Sequence, residues 1–223
     1  SVNSVRRVGE LAPVCTSLFS QDDTRSQFEQ LIRDNADIAI FAIAAGNGGP
    51  GGNLNDPDYL TSVAGLGKLE TTHTNVMSVG ALQAKTSIDG VQQWQIEWLD
   101  NLMNATQVNL APYSNRGSNL TLVAATDSPA MDKYGDMRFF GGTSAANPNL
   151  AGIASLVWSV NPELTGEQVR QILTDTAMDL GVAGRDDTFG YGLVDADAAV
   201  RRALALARDS ELANFSLSQP VIA

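Results

Sequence analysis

The chain has 223 residues, with 25 acidic against 14 basic side chains, one histidine and a formal charge of −11. Hydrophobic residues make up 43% and charged residues 17%, a globular composition long enough for one domain and unlike that of a disordered chain. The acidic balance argues against a nucleic-acid partner, no apolar run reaches the ~20 residues of a membrane span, and the lone Cys15 excludes an internal disulfide or a cysteine-based zinc cage. Residue 1 is serine, in neither an initiator nor a signal-peptide context, so the chain reads as beginning inside a longer sequence. Residues 22–36 place Phe28, Leu31, Ile32 and Ala36 at helical spacing. The run Ile38-Ala39-Ile40-Phe41-Ala42-Ile43-Ala44 then reads as a strand buried on both faces, stopped by a glycine-rich loop that begins Gly46-Asn47-Gly48. A helix feeding a buried strand is the αβ half of a doubly wound sheet.

Further strands are expected at 76–82 and 120–125, with 85–109, which carries Trp94 and Trp98, as a hairpin or surface excursion. Residues 144–160 form a small apolar helix with Pro148 in its first turn, where no N–H is needed. Thr165 and Gln168 have capping-box spacing ahead of a helix whose buried stripe is Val169, Ile172 and Leu173. A last helix covers about 195–207, and residues 209–223 are a polar tail.

Two segments carry chemistry. Ala44-Ala45-Gly46-Asn47 puts a polar side chain at the carboxyl end of a buried strand, where open α/β sheets gather ligands. Gly141-Gly142-Thr143-Ser144-Ala145-Ala146-Asn147-Pro148 puts a serine on a tight glycine turn opening a helix, with backbone N–H groups and the positive helix end available to a developing oxyanion. Serine is also favoured there simply as a cap, and asparagine simply as a turn residue.

Together these segments resemble the subtilisin-like serine proteases, whose nucleophile motif is matched by residues 142–152 and whose oxyanion motif is matched by 44–47. Val76-Met77-Ser78-Val79-Gly80-Ala81, Ala111-Pro112-Tyr113-Ser114-Asn115-Arg116-Gly117 and Tyr191-Gly192-Leu193-Val194-Asp195-Ala196 are similar to three further landmarks in the family's order. The resemblance implies a three-layer doubly wound α/β sheet, mostly parallel, with 1–208 as the C-terminal portion of the peptidase domain. It implies Ser144 as acylating nucleophile, Asn47 as side-chain donor to the oxyanion and Thr143 as support for it. Ala44, Ala45 and Gly46 would form one wall of the substrate pocket, and Ser1, Val2 and Asn3 the remnant of the opposite wall. Ala145 stands where the family commonly has Met. Asn149 stands where it has a structural His.

The family's chain order is Asp, His, Ser, so the triad Asp and His are expected upstream of residue 1, and this chain alone is expected to be inactive. His73, in Thr71-Thr72-His73-Thr74, lacks the motif context of a base and reads as a loop histidine. The implied partners are a polypeptide substrate and an N-terminal fragment or chain carrying the missing pair, with no nucleic acid and no membrane span. The implied location is secreted, cell-surface or periplasmic. No cofactor is required. Calcium is possible from family habit, but Asp56, Asp58, Asp186 and Asp187 lack a ligand spacing and read as solvated loop acids. The alternative is a non-catalytic subtilase-derived binding or assembly module.

Overall fold

The computed structural model describes residues 2–6, 22–48, 63–84 and 108–218. Helix α1 (Asp22–Asp34) buries Phe28 and Ile32, one turn apart, and Asn35 Nδ2 caps it by donating to Leu31 O at 2.8 Å. It feeds β2 (Ala39–Ala44), all six of whose residues are buried. Their alternation divides two cores. Ala39, Phe41 and Ile43 face α1 and a 3₁₀ helix (Val63–Thr71), with Phe28 meeting Phe41 edge to face at 5.9 Å. Ile40 and Ala42 face the opposite side, onto Ala146, Leu150, Ala154 and Trp158 of α2 (Thr143–Val160). Helix, sheet and helix therefore make the three expected layers, and a strand buried on both faces is continuous in its apolar character for that reason.

The sheet has a parallel centre. Strand β2 pairs parallel with β3 (Val76–Ala84), which pairs parallel with β5 (Leu122–Ala125). Strand β1 (Val2–Arg6) adds antiparallel to β2, and β4 (Val108–Leu110) antiparallel to β3. Parallel pairing is thus confined to β2, β3 and β5, and the antiparallel β1 and β4 make the sheet mixed. Val79 is matched by both Ala44 and Leu122, while Leu82 is matched by both Leu110 and Ala125. Strand β4 therefore takes up the edge of β3 that β2 leaves after Ala44.

Several boundaries differ from expectation. The strand expected at 120–125 begins at Leu122, because Thr121 Oγ1 instead accepts from Ser78 N at 2.8 Å and donates to the buried Glu70 at 3.3 Å. That carboxylate also receives Arg170 at 2.7 Å and Arg185 at 2.6 Å, tying the 3₁₀ helix to two distant segments. Helix α2 starts at Thr143, which puts Pro148 in its second turn; the proline is exposed, and the Ser144 carbonyl lacks the N–H four residues on. A hairpin of β6 (Ser128–Met131) and β7 (Met137–Phe140), turned through Gly135, was not foreseen. Of the expected excursion only 108–109 falls among the described residues; Trp94 and Trp98 lie outside them.

Helix α3 (Gly166–Asp175) has the expected capping box: Gln168 N donates to Thr165 Oγ1 and Thr165 N to Gln168 Oε1, with Val169, Ile172 and Leu173 buried. Trp158 Nε1 donates to Leu164 O at 2.8 Å, satisfying the one polar atom of the largest core side chain. The last helix, α4 (Ala196–Ser218), runs past the expected end at 207 and through much of the segment read as a tail. Alanine and leucine carry helix propensity across that stretch.

Candidate active site

Asn47, Thr126 and Asp127 lie just beyond the carboxyl ends of β2 and β5, and Ser144 is the second residue of α2. Elements far apart in sequence thus bring the expected nucleophile and the expected donor to one edge of the sheet. Thr143 N and Thr143 Oγ1 both donate to Asn47 Oδ1, each at 3.0 Å. A backbone N–H can only donate, so these bonds fix which end of the carboxamide is oxygen and leave Nδ2 as its outward donor. Asn47 is exposed while Thr143 is buried, so the anchored end is dry and the donor end meets solvent.

Gly142 caps α2 with φ +85° and ψ 170°. Its N–H donates to the Tyr113 hydroxyl at 3.1 Å, and its carbonyl accepts from Thr126 Oγ1 at 3.0 Å. Tyr113 and Thr126 are themselves 3.2 Å apart; the Thr126 proton being on Gly142 O, the phenol donates to Thr126 and closes the circuit. The N–H groups of Ala145 and Ala146 also point to Gly142 O. Among the first four N–H groups of α2, the one that takes no partner among the described residues is that of Ser144. Two donors, Asn47 Nδ2 and Ser144 N, therefore stand at the positive end of an 18-residue helix.

The other expected positions are less close to the chemistry. Ala44 and Ala45 are buried, and Gly46, at φ +95°, turns the chain towards Asn47. Val2 and Asn3 pair with Ile43 and Ala42, beside the end of β2; Ser1 lies outside the described residues. Asn149 Nδ2 donates to Ala125 O and Ser128 Oγ, tying α2 to the end of β5. His73 precedes β3, with Thr72 Oγ1 2.8 Å from its Nδ1, and so occupies the amino edge of the sheet, opposite to Ser144. Asp127, at φ +57°, accepts from Gln83 Nε2 at 2.9 Å; burial raises its carboxyl above the ordinary value, and that bond offsets part of the rise.

Of the acids that sequence singled out, Asp186 has both carboxylate oxygens engaged in its own turn: Oδ1 accepts the N–H groups of Thr188 and Phe189, and Oδ2 accepts that of Val182. Asp56 and Asp58 lie outside the described residues, and among the described residues no three metal-ligating side chains gather. Cys15 also lies outside them.

Sequence reasoning assigned no role to Tyr113, Asn115 and Thr126. All three hold the site's backbone in place. The available signal for the first two was a tyrosine, a serine and an asparagine in a short segment before the buried β5, where polar side chains must find partners; Thr126 follows that strand.

The Subtilase family profile matches residues 12–192. The halolysin-like extracellular serine protease Nep of Natrialba magadii is 39% identical over 92 residues, covering 41% of this chain and 17% of that protein. Endoprotease bli of Onchocerca volvulus is 31% identical over 179 residues, covering 74% of this chain and 22% of its own length. A solved lanthipeptide protease matches with a TM-score of 0.51 at 21% identity, covering 81% of this chain and 56% of that one, a likeness of fold. The chain spans about a fifth of the length of those two curated relatives.

Proposed function

Because the chain belongs to the subtilase family, we propose that it supplies the nucleophile and the oxyanion hole of a serine endopeptidase. Ser144 Oγ attacks the substrate carbonyl, the negative charge that develops on the carbonyl oxygen is held by Asn47 Nδ2 and Ser144 N, and water releases the acyl group. The observation that carries this reading is the pair of bonds from Thr143 to Asn47 Oδ1, which orient the carboxamide before substrate arrives. Thr143 then acts through Asn47. Ala44, Ala45 and Gly46 form a pocket wall, with Val2 and Asn3 as candidates for the opposite one.

The general base is a histidine supplied from outside these residues, oriented by an aspartate. His73, the one histidine of the chain, is at the wrong edge of the sheet. The chain on its own is therefore inactive in this reading. Its substrate is a polypeptide and its location extracellular, supported by relatives named as extracellular proteases. No described helix is long and apolar enough to cross a membrane.

The test is steady-state kinetics on one peptide substrate in the complete protein that carries this chain. Ser144→Ala should abolish turnover. Asn47→Ala should lower kcat by on the order of 10²–10³ with KM little changed, because the bond forms fully only in the transition state. That magnitude is the one found for the equivalent donor in subtilisin, and it is carried here by family membership. A raised KM with kcat intact would make Asn47 a ground-state binding residue and remove the oxyanion assignment.

A further inference from the structure

The loop that carries Asn47 follows β2 directly, and the backbone groups on either side of Asn47 are held. Ala45 N donates to Val79 O at 2.9 Å and Gly46 N to Thr143 Oγ1 at 3.1 Å. The other three bonds go to a single residue. Asn115 Nδ2 donates to Ala45 O at 2.8 Å, Asn115 Oδ1 accepts from Gly48 N at 2.7 Å, and Asn115 N donates to Gly46 O at 2.9 Å. Both ends of its carboxamide are fixed unambiguously, since one partner is a carbonyl and the other an N–H. Asn115 is fully buried, at 0% exposure, in the turn after β4.

We propose that Asn115 is a positioning residue for the oxyanion donor, its side-chain amide bracketing Asn47 by joining the residues two before and one after it. The inference rests on the reading of Asn47 given above and adds a residue to it. Thr143 sets the rotation of the Asn47 carboxamide; Asn115 sets where the Asn47 backbone stands. A carboxamide spanning from Ala45 O to Gly48 N fixes the loop's chord, so moving the Asn47 Cα strains or breaks a bond to the buried Asn115 side chain, where an unpaired group is expensive. Preorganisation of this kind matters because a misplacement of about 1 Å in a catalytic group can lower a rate by about 10²-fold. Ser114, the adjacent residue, is a natural control. It is also buried; its Oγ accepts from Ala81 N at 3.0 Å and donates to Asn115 O at 3.3 Å, so its removal disturbs the same turn, but no bond of its side chain reaches 45–48.

The experiment measures kcat and KM in the complete protein for Asn115→Ala, Ser114→Ala, Asn47→Ala and the Asn115→Ala/Asn47→Ala double variant. Asn115→Ala should lower kcat by between about 10- and 10²-fold, with any rise in KM smaller than that and coming from Ala45 and Gly46 in the proposed pocket wall, and Ser114→Ala should leave kcat near the parent value. In the Asn47→Ala background Asn115→Ala should lower kcat no further, since the donor that Asn115 places is already gone. Equal losses in both backgrounds, or an unchanged kcat, would overturn the proposal. If Asn115→Ala does not yield folded protein, Asn115→Ser, which retains one short polar arm, is held to the same two comparisons. A normal kcat for Asn47→Ala would overturn the oxyanion reading itself, whereas a low kcat there with a normal one for Asn115→Ala would overturn the positioning role alone.

Discussion

Replacing Gly142 by alanine perturbs the proposed hole through the backbone and through the new methyl group at once. At φ +85° and ψ 170° the glycine occupies a region essentially closed to other residues, at a cost of about 1–3 kcal/mol for a side chain held there. It has no easy escape. Its N–H is bonded to Tyr113, and its carbonyl accepts from Thr126, Ala145 and Ala146, so swinging φ to negative values would break the circuit that starts α2. For a unit of about 150–250 residues the strain translates into a fall in Tm of about 2–12 °C, and into a smaller fall in a larger cooperative unit. The added Cβ would also lie 3.1 Å from Asn47 Nδ2, close enough that the amide must give by a few tenths of an ångström. That is well short of 1 Å, so kcat should fall by about 3- to 10-fold with KM little altered. Gly135→Ala separates the two effects. Its φ is +88°, but nothing lies within 4 Å of the added Cβ, so it should lower Tm and leave kcat alone. Thermal unfolding and steady-state kinetics of both variants in the complete protein decide the matter. Equal kcat values for Gly142→Ala and Gly135→Ala would refute the contact argument, and an unchanged Tm for both would refute the strain argument.

Asp127 bears on stability against pH. Burial raises its folded-state pKa, so it favours the fold most when protonated, below its ordinary value, and that contribution is lost as pH rises through the raised value. The substitution Asp127→Asn removes the titration, keeps an acceptor for Gln83 and tolerates positive φ. Its Tm relative to the parent should therefore be higher at pH 7 than at pH 3.5, and a pH-independent difference would refute the burial argument. The isolated chain should show no Ser144-dependent turnover of a p-nitroanilide peptide panel, and protease-like rates that vanish in both Ser144→Ala and His73→Ala would restore His73 as the base.

Legibility in the sequence followed the length scale of the physics. The β2 run was readable because burial on both faces writes an unbroken apolar string, and the α3 start because a capping box is a local pattern of two side chains. Hairpin β6–β7 was not, because Pro129 and two four-residue strands give little alternation, although Asp132 and Gly135 marked its turn. The antiparallel placement of β1 was hidden as well, since partner direction is set by tertiary pairing and leaves no trace in five residues. At the site, residue types and order pointed to Asn47, Thr143 and Ser144. The side chains that hold them in place, Tyr113, Asn115 and Thr126, act across separations of 29, 70 and 16 residues, and a single sequence carries no record of such pairings.

The same geometry explains why the proposed chemistry divides cleanly between this chain and residues outside it. An oxyanion hole works only if its donors do not reorganise during the reaction, and both proposed donors are tied to the start of α2. Asn47 is pinned by Thr143 of α2 and its loop by Asn115, while the Ser144 N–H is fixed by the helix itself. None of those bonds involves a base, so the hole can be complete before a histidine arrives. A serine hydroxyl differs, because without an adjacent base it is a weak nucleophile however well its oxyanion would be held. In the proposed chemistry the histidine has to be delivered to the carboxyl edge of the sheet, where Ser144 stands, and the chain's one histidine stands at the opposite edge. That makes the two contributions separable in the complete protein: substitutions at Asn47 or Asn115 should act on kcat without shifting the pH at which activity appears, since that pH belongs to the histidine.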